Sequence, residues 1–172
     1  MVTPKDTIGY LKDMVLYGLE GIIFIILATT IHEYLGHALI SNILKCEYSV
    51  TDIFIFTGST LVKTCPLDRL LYIALAGPLA AFFIGLLFWA VWYFTRNLPE
   101  LKVASYILWL YGTIPNLTPF FPENDMFWAL KSGLNPFTGI LIFLLTTAII
   151  FALIFDEAIR FNETDKEEEN HD

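Results

Sequence analysis

Charge is what this chain has least of. Only 16% of its 172 residues are Asp, Glu, Lys or Arg, where a soluble domain carries about a quarter. Hydrophobic residues make up 56% and the mean hydropathy is +0.61, which excludes an ordinary soluble globule and implies a multi-pass membrane protein. No basic stripe exists, so nothing points to a nucleic-acid partner. Histidine is scarce, three in all, too few for the histidine-rich sites of membrane di-iron oxidases. No internal repeat speaks for a transporter, and the N-terminus lacks a signal-peptide pattern. Cysteine is limited to Cys46 and Cys65. They flank one loop region and pair only if it faces an oxidising compartment, which composition leaves open. The net charge of −8 is largely local: Asn162 to Asp172 hold six acidic groups against Lys166, and residues 156–172 read as an acidic disordered tail.

What the chain does have is long apolar runs. After an N-terminal segment of residues 1–13, the first runs from about Met14 to Leu44, interrupted by Glu20, His32, Glu33 and His37. Residues 47–64 are β-branched and aromatic, with a turn signal at Thr57-Gly58-Ser59, and predict a small β-hairpin. Its edge is one with which an extended peptide can pair. A second span covers 70–94, with Ala76-Gly77-Pro78 predicting a kink or close helix packing. A third, 103–130, is expected to be broken, because Pro115, Pro119 and Pro122 each remove a backbone donor. The last span, 136–155, follows Asn135 as N-cap. The expected fold is therefore an all-α membrane protein with about four transmembrane helices, both termini on one side, and a hairpin after the first span. Six Lys/Arg on the terminal side against four opposite leave the orientation open.

The chemistry lies in TTIHEYLGHALI, residues 29–40. Charged groups at membrane depth are costly and usually mark a site. His32, Glu33 and His37 form HExxxH, one residue longer than the zinc-protease HExxH. On a regular helix, positions i and i+4 lie about 40° apart, but i and i+5 about 140° apart. Either a π-bulge absorbs the extra residue and realigns the two imidazoles, or Glu33 and His37 are the ligands. The first leaves a glutamate free as general base, which hydrolysis requires, and is preferred here. A catalytic zinc needs a third protein ligand and an open position. Asp125 is the best donor, with Glu123 next, and a short helix capped near Asn124 would aim such a carboxylate inward. Glu33 then activates a zinc-bound water, and Asn116 at the helix break can donate to the oxyanion or to substrate backbone.

With these residues in view, the chain resembles the site-2 protease family of intramembrane zinc metalloproteases. HEYLGHALI stands for the metal motif, LAGPLAAF (75–82) for the AGPLAN-like stretch and NLTPFFPEND (116–125) for the NxxPxxPxxDG-like stretch. The resemblance covers roughly residues 21–130. It implies a zinc endopeptidase cutting transmembrane or membrane-proximal protein substrates in a cell membrane, with His32, His37 and Asp125 as ligands, Glu33 as catalytic glutamate and Asn116 positioning substrate. The sequence departs from the pattern in three places: the inserted residue in HExxxH, Ala81 where asparagine is usual, and an aspartate motif one residue longer with Met126 where glycine follows. The longer histidine spacing resembles the HELLGH motif of dipeptidyl peptidases of the third type. The alternative function is a catalytically inactive metal- or partner-binding membrane protein built on the same core.

Overall fold

Apolar residues with few breakers leave this chain little choice but helix, and its prolines, glycines and polar runs mark where helix stops. The computed structural model describes the backbone of residues 4–54, 57–119 and 121–169, and the side chains of 14–51, 58–119 and 121–159. Helix α1 (Pro4–Thr30) runs without interruption into a π-helical segment (Ile31–Ala38) and then α2 (Leu39–Ile43). Strands β1 (Glu47–Phe54) and β2 (Thr57–Thr64) form the antiparallel hairpin, with Val50 opposite Thr60 and Thr51 opposite Ser59. Helix α3 (Leu67–Thr95) follows. Next come α4 (Pro99–Ile107), a second π-helical segment (Leu108–Thr113) and the short α5 (Ile114–Leu117). Helices α6 (Asp125–Lys131) and α7 (Pro136–Glu169) complete the chain.

Among the described residues three helical stretches, rather than the expected four, are long and apolar enough to cross a membrane: Met14–Ile43, Leu67–Thr95 and Pro136–Ile159. In the most apolar window of each, 39% of α3 is buried in the protein against 17% of either neighbour, so α3 is the central helix. The expected third span, 103–130, is divided, as its prolines require. Its first part packs on α3: Leu108 joins Ala28, Ile31 and Ala81 in one apolar cluster, and Trp109 joins Phe82 and Ile150 in another. The indole of Trp109 donates to the Phe82 carbonyl at 3.2 Å. Near the far end of α3, Glu157 of α7 accepts from Tyr106 and pairs with Lys102, while Lys102 sits 4.9 Å over the Trp92 ring.

Several boundaries follow from local chemistry. Asn124 accepts from the Phe127 amide and Asn135 from the Phe137 amide, each at 2.9 Å, so both expected N-caps are present. Thr57-Gly58-Ser59 do not turn but belong to β2, and residues 55–56 between the strands lie outside the described residues. The disordered tail expected from residue 156 is instead helical to Glu169. Glu and Lys are good helix formers, and prolonging an existing helix needs no new nucleus. Residues 170–172 lie outside the described residues, and the N-terminal segment is helical from Pro4. Cys46 and Cys65, left open by composition, form a disulfide that closes the base of the hairpin.

Candidate metal centre

The π-helical segment spans the whole HExxxH stretch. Its widened turn closes i to i+5 instead of i to i+4, so His32 and His37 point the same way. Their Nε2 atoms lie 3.1 Å apart, with the rings nearly perpendicular at 80°. Both side chains are buried. Each ring is held from behind: His32 Nδ1 donates to the Gly112 carbonyl at 3.0 Å, and His37 Nδ1 to the Ile73 carbonyl at 2.6 Å. A carbonyl can only accept, so Nδ1 carries the proton in both rings and the two Nε2 lone pairs face each other.

Asp125, the first residue of α6, enters between them. One carboxylate oxygen lies 2.8 Å from His32 Nε2 and the other 3.2 Å from His37 Nε2. The nearer oxygen, Oδ2, is buried without a hydrogen-bond partner. Three groups able to donate lone pairs, two Nε2 atoms and a carboxylate, therefore converge in a buried place. Such a cluster could hold a metal ion at its centre. Tetrahedral zinc with bonds near 2.0–2.1 Å separates its ligand atoms by about 3.3 Å, close to the spacing found here. By proximity alone, His32, Glu33 and His37 form a group that could hold a metal ion, with donor atoms within 4.8 Å of one another. Asp125 is in direct contact with both imidazoles, whereas Glu33 is engaged elsewhere.

That engagement comes from the hairpin. Thr60 of β2 donates to Glu33 Oε2 at 2.7 Å. Gly58, two residues earlier on the same strand face, gives Glu33 room: a Cβ there would lie 2.9 Å from Glu33 Cγ. From α3, Gly77 supplies the floor of the site. A Cβ at Gly77 would collide with His37 Nε2 and lie 2.6 Å from His32 Nε2. Gly36 meets the backbone of Gly77 and Ala76, so the two helices touch where the imidazoles converge. Pro78, next to Gly77, lacks an N–H and loosens the preceding turn, from which Ile73 offers its carbonyl to His37.

Asn116 lines the same cleft, which has a volume of about 430 Å³ and runs between the hairpin, α3 and α6. Its Nδ2 donates to the Gly112 carbonyl at 3.2 Å and the Tyr111 carbonyl at 3.5 Å. Pro115 has no N–H for Tyr111, so the Asn116 amide serves the broken helix and shares Gly112 with His32. Glu123, the second choice for third ligand, lines the cleft from an exposed position with a left-handed φ of 65°. The chain matches no protein-family model and has no significant match among curated proteins.

The fold thus assembles His32, Glu33, His37 and Asp125, all legible in the sequence as candidates, and places Asn116 in their cleft. Thr60, Gly58 and the carbonyls of Ile73 and Gly112 join them unannounced. Nothing in their types marks them as partners, since backbone carbonyls carry no sequence signal. Gly77 stood out as a packing residue beside Pro78, but its place under the imidazoles did not.

Proposed function

We propose that the protein is an intramembrane zinc endopeptidase that hydrolyses peptide bonds of membrane-associated protein substrates, as its resemblance to site-2 proteases implies. The observation that carries this reading is the convergence of two Nε2 atoms and the Asp125 carboxylate within 3.2 Å, with Glu33 beside them but held apart. Two imidazoles and one carboxylate suit zinc and leave a fourth position open. Zinc bound there polarises a scissile carbonyl and lowers the pKa of water. Glu33, beside the imidazoles and held by the Thr60 hydroxyl, accepts the proton of the attacking water and passes it to the leaving amine. The Gly112 and Ile73 carbonyls fix the tautomer and aim of both imidazoles. Asn116 steadies the Gly112 carbonyl and borders the space that a peptide would fill.

The reading includes a fourth crossing of the bilayer by residues 103–130. Its support is a distance argument. Lys102 sits against Trp92, near one end of α3, whereas Asp125 meets His37, which is bonded to Ile73 near the other end. Ile73 and Trp92 are separated along α3 by about 28 Å at 1.5 Å per residue, close to a hydrocarbon core of about 30 Å. The broken segment covers that distance, and α7 returns to Lys102 through Glu157. Both termini then share a face, and the site lies roughly 10–15 Å below the hairpin face, counted from Ile43 and Leu67. Broken backbone is tolerated at such depth because it lines a protein-walled cleft.

The deciding experiment pairs metal analysis with cleavage. Wild type is expected to hold one zinc and cut transmembrane reporter peptides. His37→Ala is expected to lose both properties, whereas Glu33→Gln keeps the zinc and loses about 10²–10⁴-fold in kcat. Unchanged cleavage in Glu33→Gln refutes the assignment of the base, and folded wild type without zinc refutes the metal centre.

A further inference from the structure

We infer that Thr60 is a positioning residue that keeps Glu33 a base and prevents it from becoming a fourth metal ligand; this rests on the peptidase reading above. Glu33 has two places to go. Its carboxylate belongs to the group of donor atoms lying within 4.8 Å of one another with His32 and His37, near enough for a small rotation of its side chain to bring it onto the same cation. A carboxylate there would complete four protein ligands, and closed four-ligand sites are structural, whereas catalytic sites keep one position free.

Among the described residues, the side-chain hydrogen bond to the Glu33 carboxylate comes from β2. Thr60 has a single hydroxyl proton and two acceptors within range, Glu33 Oε2 at 2.7 Å and the Glu33 carbonyl at 3.4 Å. The charged oxygen at the shorter distance takes it. Gly58 on the same face supplies the space for the glutamate stem to reach the strand, and the Cys46–Cys65 disulfide fixes the base of the hairpin that carries both residues. The hairpin thus acts on the site from outside the bundle: remove one hydroxyl and the carboxylate has no reason to stay away from the cation.

Thr60→Val keeps the shape and β-propensity of the strand and deletes the hydroxyl. Thr60→Ser restores it, and Thr60→Ala is the match to Ser should Val not be accommodated. The readouts are kcat and KM on a quenched-fluorescence library of transmembrane peptides in detergent, zinc affinity by chelator competition, and the visible bands of the cobalt-loaded protein. Thr60→Val is expected to lower kcat about 10- to 100-fold, the range for losing one hydrogen bond to a charged group, with little change in KM. Its zinc affinity is expected to equal or exceed that of wild type, with shifted cobalt bands, and Thr60→Ser to return all three. If Val weakens zinc binding, the Ser/Ala pair, which differs by the hydroxyl, replaces it as the deciding comparison. Wild-type kcat or unshifted bands in the variant lacking the hydroxyl overturns the inference while leaving the peptidase reading intact. A wild type that cleaves none of the library overturns both.

Discussion

Gly77→Ala is the sharpest perturbation of the proposed metal centre because it adds one methyl group at a single, well-defined place. That Cβ would collide with His37 Nε2, and would lie 2.6 Å from both His32 Nε2 and His37 Cε1. Ordinary contacts between such atoms begin near 3.5 Å, so either the rings or α3 must give way by about 1 Å. The neighbours leave little slack. Both Nδ1 atoms are bonded to carbonyls, and Gly36 already touches the Gly77 backbone. Metal sites tolerate ligand displacements of only about 0.2 Å, and disturbing even their outer partners costs 10- to 100-fold in affinity. Gly77→Ala is therefore expected to weaken zinc binding by about a hundredfold or more. The same change favours a helix by about 1 kcal/mol, so lost metal cannot be blamed on an unravelled span. Zinc affinity in detergent by chelator competition, with helicity measured alongside, is the assay. Gly21→Ala is the control, since a Cβ there meets nothing within 4 Å. Wild-type affinity in Gly77→Ala would refute the converged-imidazole geometry and the reading built on it.

Gly36→Ala places a Cβ 2.7 Å from the Gly77 backbone nitrogen and is expected to separate the π-helical segment from α3, costing about 1–3 kcal/mol as overpacking does; an unaltered unfolding midpoint in detergent would contradict it. Asn116→Ala frees the Tyr111 and Gly112 carbonyls and is expected to cost about 1 kcal/mol with zinc retained, so a loss of kcat above about a hundredfold would mean that Asn116 acts on substrate itself. The Cys46–Cys65 disulfide forms and persists in an oxidising compartment, so the hairpin and the mouth of the cleft are expected on the non-cytoplasmic face. In intact cells, an impermeant maleimide should label these cysteines only after reduction. Labelling without reductant, or none after it, counts against this orientation.

The helical membrane character was legible from composition, because only helices and closed barrels satisfy their backbone inside lipid and the apolar runs are long. The hairpin was legible from β-branched residues, and its bounds at Glu47 and Thr64 match the expectation. The HExxxH spacing favoured a widened turn over a regular helix with Glu33 and His37 four apart: imidazoles five apart converge only if the helix departs from 3.6 residues per turn, and the π-segment lies at Ile31–Ala38. The second π-segment, Leu108–Thr113, had no such signal, since nothing in LWLYGT needs to coincide with a partner five residues on. The helical tail escaped because high charge alone does not distinguish a solvated coil from the continuation of a helix already formed.

What the sequence determined, then, is which atoms are available and how one helix must distort to bring two imidazoles together. Only the tertiary structure decided what surrounds them. The contact between Asp125 and His32 spans 93 positions, and periodicity is blind beyond a single element. Thr60, Gly77 and the two carbonyls carry no chemical label until packing brings them within bonding distance. The choice between Glu33 as ligand and Glu33 as base was open in the sequence; a threonine hydroxyl on a neighbouring strand bears on it.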